Sequence, residues 1–180
     1  MFIQIINLIL SVVVGIVAGA CLLRCYMQWF GSQLGAEQRK LIGVYLFPLT
    51  NWIVIPLRRV IPSIGLLDTA SLLAAYLLVF GKVAILSFLL VGSINVFSLL
   101  TTLFDLIDLT LSGLIGLVFV YVILSWLSAG SQTQYIVSLL IGPLLGPIQR
   151  MIPKLGALDL SPLILLLVLQ ILQIVINSFK

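Results

Sequence analysis

From residue 2 to residue 23 the chain carries no charged side chain. A helix needs about 20 predominantly apolar residues to cross the ~30 Å hydrocarbon layer of a bilayer, and this stretch meets that requirement at the outset. The pattern returns. Apolar sequence resumes at Leu66 and runs almost unbroken to Phe104, again from Thr110 to Trp126, and finally from Leu160 to Phe179. Only 8% of the 180 residues are charged and 62% are hydrophobic, whereas an average soluble domain is about 25% charged. A chain this short has no core large enough to hide such a surplus. A soluble globular enzyme, a disordered segment and a nucleic-acid-binding chain are therefore excluded as readings, no direct nucleic-acid contact is expected, and the first partner is the lipid bilayer.

The remaining sequence is organised by proline. Pro48, Pro56 and Pro62 form one cluster, and Pro143, Pro147, Pro153 and Pro162 form the other. The clusters expose an internal repeat. Pro56-Leu-Arg-Arg-Val-Ile-Pro-Ser-Ile-Gly-Leu-Leu-Asp68 aligns without gaps to Pro147-Ile-Gln-Arg-Met-Ile-Pro-Lys-Leu-Gly-Ala-Leu-Asp159, 91 residues on, with 7 of 13 positions identical. Upstream, Trp29 and Trp126 each close an apolar stretch before a polar one. The expected fold is an all-α membrane protein of two tandem parallel repeats. It has about four transmembrane helices and two Pro-broken segments that are interfacial or re-entrant. The first repeat covers 1–91 (transmembrane helix, PxRRxIPxxGxLD segment, transmembrane helix). A connecting helix end and acidic turn with Asp105 and Asp108 cover 92–109, and the second repeat covers 110–180.

A five-helix alternative turns the chain at Gly81-Lys82 and inverts the copies, as in some transporters. Charge favours the parallel arrangement. It places Arg24, Arg39, Lys40, Arg58, Arg59, Arg150 and Lys154, seven of the nine cations, on one side with Asp105 and Asp108 opposite. By the positive-inside bias that side is cytoplasmic, both termini lie outside, and the location is a bacterial cytoplasmic (inner) membrane.

Within the repeated motif, local physics explains much. Pro56 and Pro147 are tolerated early in a helix, while Pro62 and Pro153 end one. Gly65 and Gly156 suit a left-handed turn position. Asp68 and Asp159 precede apolar stretches as N-caps, worth about 0.5–2 kcal/mol each. Pairing of Arg59 with Asp68, or of Arg150 with Asp159, is feasible across the turn. One reading is a purely structural segment that turns the chain into the next span. The other is a basic cradle in which Arg58, Arg59 and Arg150 hold a headgroup, phosphate or other anion.

Carried twice, this motif resembles the YggT family of small bacterial membrane proteins, called YlmG in Gram-positive bacteria and plastids. The matching parts are Leu22-Leu23-Arg24 through Gln28-Trp29, the Pro56–Pro62 run, Gly65 to Ser71, Ser125-Trp126, and Pro147 to Pro162. Thr50-Asn51-Trp52 stands where the family usually has a Thr-Glu-Pro-like turn, and Gln149 replaces the first arginine of the pair in the second copy. The resemblance implies association with osmotic and potassium stress tolerance in enterobacteria. For plastid and cyanobacterial relatives it implies association with nucleoid distribution and haem attachment to a cytochrome b subunit. It brings no catalytic residues.

Two polar positions fall inside apolar blocks. Lys82 lies 14 residues after Asp68, roughly 21 Å along a helix, and its repeat partner is Gln173. An ionisable residue at such depth is a functional hypothesis by default, with Asp105 or Asp108 as the candidate partner of Lys82, although the favoured reading is a snorkelling lysine in a structural ion pair. Cys21 and Cys25, four residues apart, read as small packing residues rather than a soft-metal site. The chain has no histidine, so general acid–base and metal chemistry have few candidates, and no metal, cofactor or catalytic residue is expected. The expected function is a non-enzymatic accessory or scaffold factor for membrane-complex assembly or envelope homeostasis, with other membrane proteins or a second copy of the chain as partners. The alternative is a small transporter or channel-like component in osmotic or potassium stress, which would need a homo-oligomer to form a pore.

Overall fold

The computed structural model describes residues 2–30, 36–61, 67–93, 97–127, 130–151 and 159–179. These fold into six helices: α1 (Phe2–Trp29), α2 (Ala36–Val60), α3 (Thr69–Val91), α4 (Phe97–Leu127), α5 (Gln132–Met151) and α6 (Ser161–Ser178). There is no strand among the described residues. Five stretches, Phe2–Trp29, Arg39–Val60, Thr69–Leu90, Phe97–Leu127 and Ser161–Ser178, are long and apolar enough to cross a membrane. Large apolar side chains such as Ile16, Phe88, Phe119 and Ile174 are more than half exposed on these helices. Lipid is the solvent that makes such a surface tolerable.

The prolines do not break the helices that hold them. Pro48 and Pro56 lie inside α2, and Pro143 and Pro147 inside α5. The Pro-broken segments expected from the sequence are thus continuous helices over their described length. The reason lies in the helix period. Leu46, Thr50 and Val54 are buried at every fourth position of α2, whereas Pro48 and Pro56 are exposed away from that stripe. A proline there forfeits one backbone hydrogen bond without disturbing the packed face.

The acidic turn is also corrected. Asp105 and Asp108 sit within α4, which runs unbroken from Phe97. No glycine or proline interrupts residues 97–110. The Thr101, Thr102 and Thr110 hydroxyls donate back to carbonyls three or four residues earlier, so these three side chains are satisfied inside the helix. The chain instead breaks at Gly92, whose φ of 73° caps α3 in the left-handed region while its N–H donates to the Phe88 carbonyl.

Two compact units divide the chain, Met1–Thr110 and Leu111–Phe179. In the first unit α1 packs chiefly on α3. Ala18 and Cys21 of α1, Val54 of α2, Ala70, Ala74, Ala75 and Val79 of α3, and Leu106 make its core. Small side chains on both facing helices bring their backbones close, which is how helices associate where lipid removes the hydrophobic incentive. The second unit is filled differently, by Leu111, Val118, Val137, Ile141, Leu145, Leu165 and Leu169.

Candidate functional site

Three helices of the first unit meet at Asp68. The preceding chain delivers this residue to the N-cap of α3, where its Oδ1 accepts the Ser71 backbone N–H at 3.3 Å and its Oδ2 accepts the Ser71 hydroxyl at 2.7 Å. Its side chain is fully buried. Two arginines supply the countercharge. Arg58, from the last turn of α2, donates through Nη2 to Oδ2 at 2.5 Å, and Nε of Arg24, from α1, lies 3.5 Å from the same oxygen. Burial alone would push the Asp68 carboxyl up. The hydrogen bonds and charge of Arg58, together with the bonds from Ser71, outweigh it and hold the group below the usual carboxylate range.

Arg24 is itself held on every side. Its Nη1 donates to Thr50 Oγ1 at 3.0 Å and to Asn51 Oδ1 at 2.9 Å, and its guanidinium lies 4.9 Å from the centre of the Phe47 ring. Thr50 passes its own hydroxyl proton to the Leu46 carbonyl at 2.8 Å. Leu46, Thr50, Val54 and Arg58 follow one another at intervals of four and share a face of α2. That face explains why Arg58, and not Arg59, reaches Asp68. Arg59 is one position round the helix, exposed, and in no ion pair among the described residues. Of the pairs feasible in sequence, Arg59–Asp68 does not form and Arg58–Asp68 takes its place.

This network fixes how the first unit is strung. Arg24 stands near the end of α1 and Asp68 at the start of α3, so the two helices meet end to start. Arg39 near the beginning of α2 and Arg58 near its end line one cavity of about 280 Å³ together with Arg24, Met27, Gln28, Leu46 and Phe47. Both ends of α2 therefore come to the same end of the α1–α3 pair.

In the second unit Asp159, just before α6, takes a hydrogen bond from a glutamine. Asp159 Oδ1 accepts the Ser161 N–H at 3.0 Å, and its Oδ2 accepts Gln149 Nε2 at 2.8 Å. Gln149 stands 91 residues after Arg58, so the side chain that reaches Asp159 is again not the expected Arg150, which is exposed. Tyr121 and Asp159 line a smaller cavity of about 170 Å³ with Ser125, Trp126 and Pro162.

The other singled-out residues are dispersed. Pro56 and Pro147 lie within α2 and α5, while Pro62, Gly65, Pro153 and Gly156 fall outside the described residues. Lys82 is half-buried on α3 and joins neither Asp105 nor Asp108 in an ion pair. Gln173 donates to Ser112 Oγ at 2.8 Å inside the second unit. Cys21 and Cys25 are buried free thiols, and no group of three or more His, Cys, Asp or Glu able to hold a metal occurs among the described residues. The sequence pattern placed Arg24 and Arg39 only among the cations of one membrane face and gave no sign of Phe47, Thr50, Asn51 and Ser71 as site residues. The four-residue stripe ending in Arg58 was the available signal.

No solved structure matches the chain. The family model described as CCB3/YggT matches residues 3–89 and 100–179. The chain is 36% identical to the uncharacterised protein YggT of Escherichia coli K12 over 171 residues, covering 92% of this chain and 85% of that one. It is 37% identical over 130 residues to an uncharacterised protein from the proC 3′ region of Vibrio alginolyticus, covering 70% of each. With its apolar helices it is a multi-pass membrane protein of a bacterial family, and on the family match and this identity it belongs to the CCB3/YggT family.

Proposed function

We propose that the protein is a non-enzymatic accessory or scaffold factor of the bacterial inner membrane, acting on the assembly or upkeep of other membrane complexes. The observation that carries this reading is the use made of the charged groups. Asp68, Arg24 and Arg58 pair with one another and tie α1, α2 and α3 together, while the outer helix faces remain apolar. Such a molecule presents a rigid lipid-facing surface to neighbouring membrane proteins or to a second copy of itself.

The proposed topology is two tandem parallel copies with four spans: α1, α3, α4 and α6. Hydropathy counts α2 among five candidates, but a straight helix over Arg39–Val60 would separate its ends by about 33 Å. The gathering of Arg39, Arg58 and Arg24 around one cavity supports a helix that begins and ends on one side instead. On that side, taken as cytoplasmic, the exposed Arg59 and Arg150 meet lipid headgroups.

The test is a pull-down from native membranes in mild detergent, paired with potassium-flux measurements on the protein reconstituted in liposomes. The expected result is recovery of a defined membrane complex and flux no greater than that of empty liposomes. Reproducible potassium flux overturns the scaffold reading.

A further inference from the structure

We propose that the cavity between α1 and α2 is a binding site for a phosphate group, carried either by an anionic phospholipid headgroup or by soluble phosphate. Three arginines line it, Arg24, Arg39 and Arg58. Each arginine offers five N–H donors in a planar fork suited to phosphate oxygens. Arg24 commits Nη1 to Thr50 and Asn51 and turns Nε to Asp68, while Arg58 commits Nη2. Nη2 of Arg24 and both Nε and Nη1 of Arg58 have no acceptor among the described residues. Asp68 is a single carboxylate shared by two cations, so the pair of arginines keeps an excess positive charge even after their ion pairs form. Asp68, Thr50, Asn51 and Phe47 hold Arg24 in place before any ligand arrives, so little ordering remains to be done on binding.

Size and place agree with this assignment. At about 280 Å³ the cavity has room for a phosphate ester. Its apolar wall of Met27, Leu46 and Phe47 suits the glycerol end of a lipid headgroup, and Arg24 lies one and a half helical turns from Trp29, a residue type that favours the membrane interface. The second unit provides the contrast. With Tyr121 and Asp159 in its cavity and Gln149 in place of Arg58, it has a carboxylate and no arginine among the described residues that line it. This site goes beyond the scaffold reading and stands or falls separately from it.

The experiment measures binding of phosphatidylglycerol, phosphatidate, phosphatidylcholine, inorganic phosphate and acetate to the full chain in detergent, by native mass spectrometry and calorimetry. The variants are Arg58→Gln, Arg39→Gln and, as an equal loss of charge outside the cavity, Arg59→Gln. Gln149 on Asp159 shows that glutamine at this position keeps the hydrogen bond to the carboxylate, so Arg58→Gln removes the charge and leaves a partner for Asp68. Arg39→Gln leaves the Asp68 network untouched, and tryptophan fluorescence verifies that each variant is folded. The expected result is one phosphate-bearing ligand per chain, weakened about ten- to a hundredfold by Arg58→Gln and by Arg39→Gln and unchanged by Arg59→Gln. Anionic lipid that phosphate fails to displace assigns the site to a headgroup. Phosphate binding that lipid fails to compete assigns it to the soluble anion. Equal weakening by all three variants, acetate competing as well as phosphate, or no arginine-dependent binding of any probe overturns the proposal.

Discussion

Asp68→Asn is the substitution that most sharply tests the charge network. Asparagine keeps the size of the side chain and an oxygen for the Ser71 N–H, so the cap on α3 survives. What is lost is the charge shared by Arg24 and Arg58. The two arginines differ in what they can do next. Arg58 has a side chain 41% exposed and can turn to water, whereas Arg24, at 11%, cannot. Leaving one buried charge without its partner costs about 3–5 kcal/mol, and the escape of Arg58 puts this case near 3 kcal/mol. Asp68→Ala removes the cap as well and costs about 1 kcal/mol more. Asp159→Asn is the internal reference. Asp159 is only half-buried and accepts from the neutral Gln149, so water screens the loss of its charge and that substitution costs about 1 kcal/mol at most. At roughly 2–4 °C per kcal/mol for a chain of this size, Asp68→Asn lowers the melting temperature by about 6–12 °C and Asp159→Asn by no more than about 4 °C. Melting in detergent followed by the fluorescence of Trp29, Trp52 and Trp126 reads both. Equal shifts, or a larger one for Asp159→Asn, would refute the assignment of the network's strength to charge.

The depressed carboxyl of Asp68 sets a pH window. Its stabilising contribution is complete above the unfolded value of about 3.9 and is lost as pH falls further, through the lower folded value. The melting temperature should therefore lose an acid-dependent component below about pH 4 that Asp68→Asn lacks, and identical acid profiles for the two proteins would contradict this. Ala74→Leu, at a fully buried position of the α1–α3 seam, should cost about 1–3 kcal/mol by overpacking, while Leu77→Phe on the exposed face of the same helix should leave melting unchanged. A cysteine at Val60, in a chain with Cys21 and Cys25 replaced by alanine, should react with an impermeant thiol reagent only from the cytoplasmic side; labelling from outside removes the four-span arrangement.

Much of the architecture was legible because lipid imposes simple rules. Uncharged runs of sufficient length announce helices, and the motif announces that Asp68 starts one, whereas α6 is capped at Leu160, one residue beyond Asp159. Two things were hidden. Proline reads as a breaker, yet whether Pro48 and Pro56 break a helix depends on which side of it they face, and only packing decides that. The acidic pair Asp105 and Asp108 read as a turn because charge is costly in an apolar run, but with no glycine or proline between residues 97 and 110 α4 runs straight through them. The site was half visible. Arg58 and Asp68 stood in the motif, whereas Arg24, 44 residues before Asp68 in sequence, joins them only because α1 and α3 lie side by side. Choosing Arg59 over Arg58 was an error of one residue, which on a helix is a rotation of about 100°.

The seam of small side chains between α1 and α3 makes its own gauge. Cys21 and Cys25 face into it and are free thiols with almost no exposed surface. Any reagent that alkylates them must wait for α1 to leave α3, and the bulk it adds prevents their return. When separation and closing are fast against the chemistry, the alkylation rate counts the open fraction and hence the free energy of that local opening. The unmodified protein thus carries a clock for its own inner helix contact, and anything that binds across α1, including an anion at Arg24, should slow it.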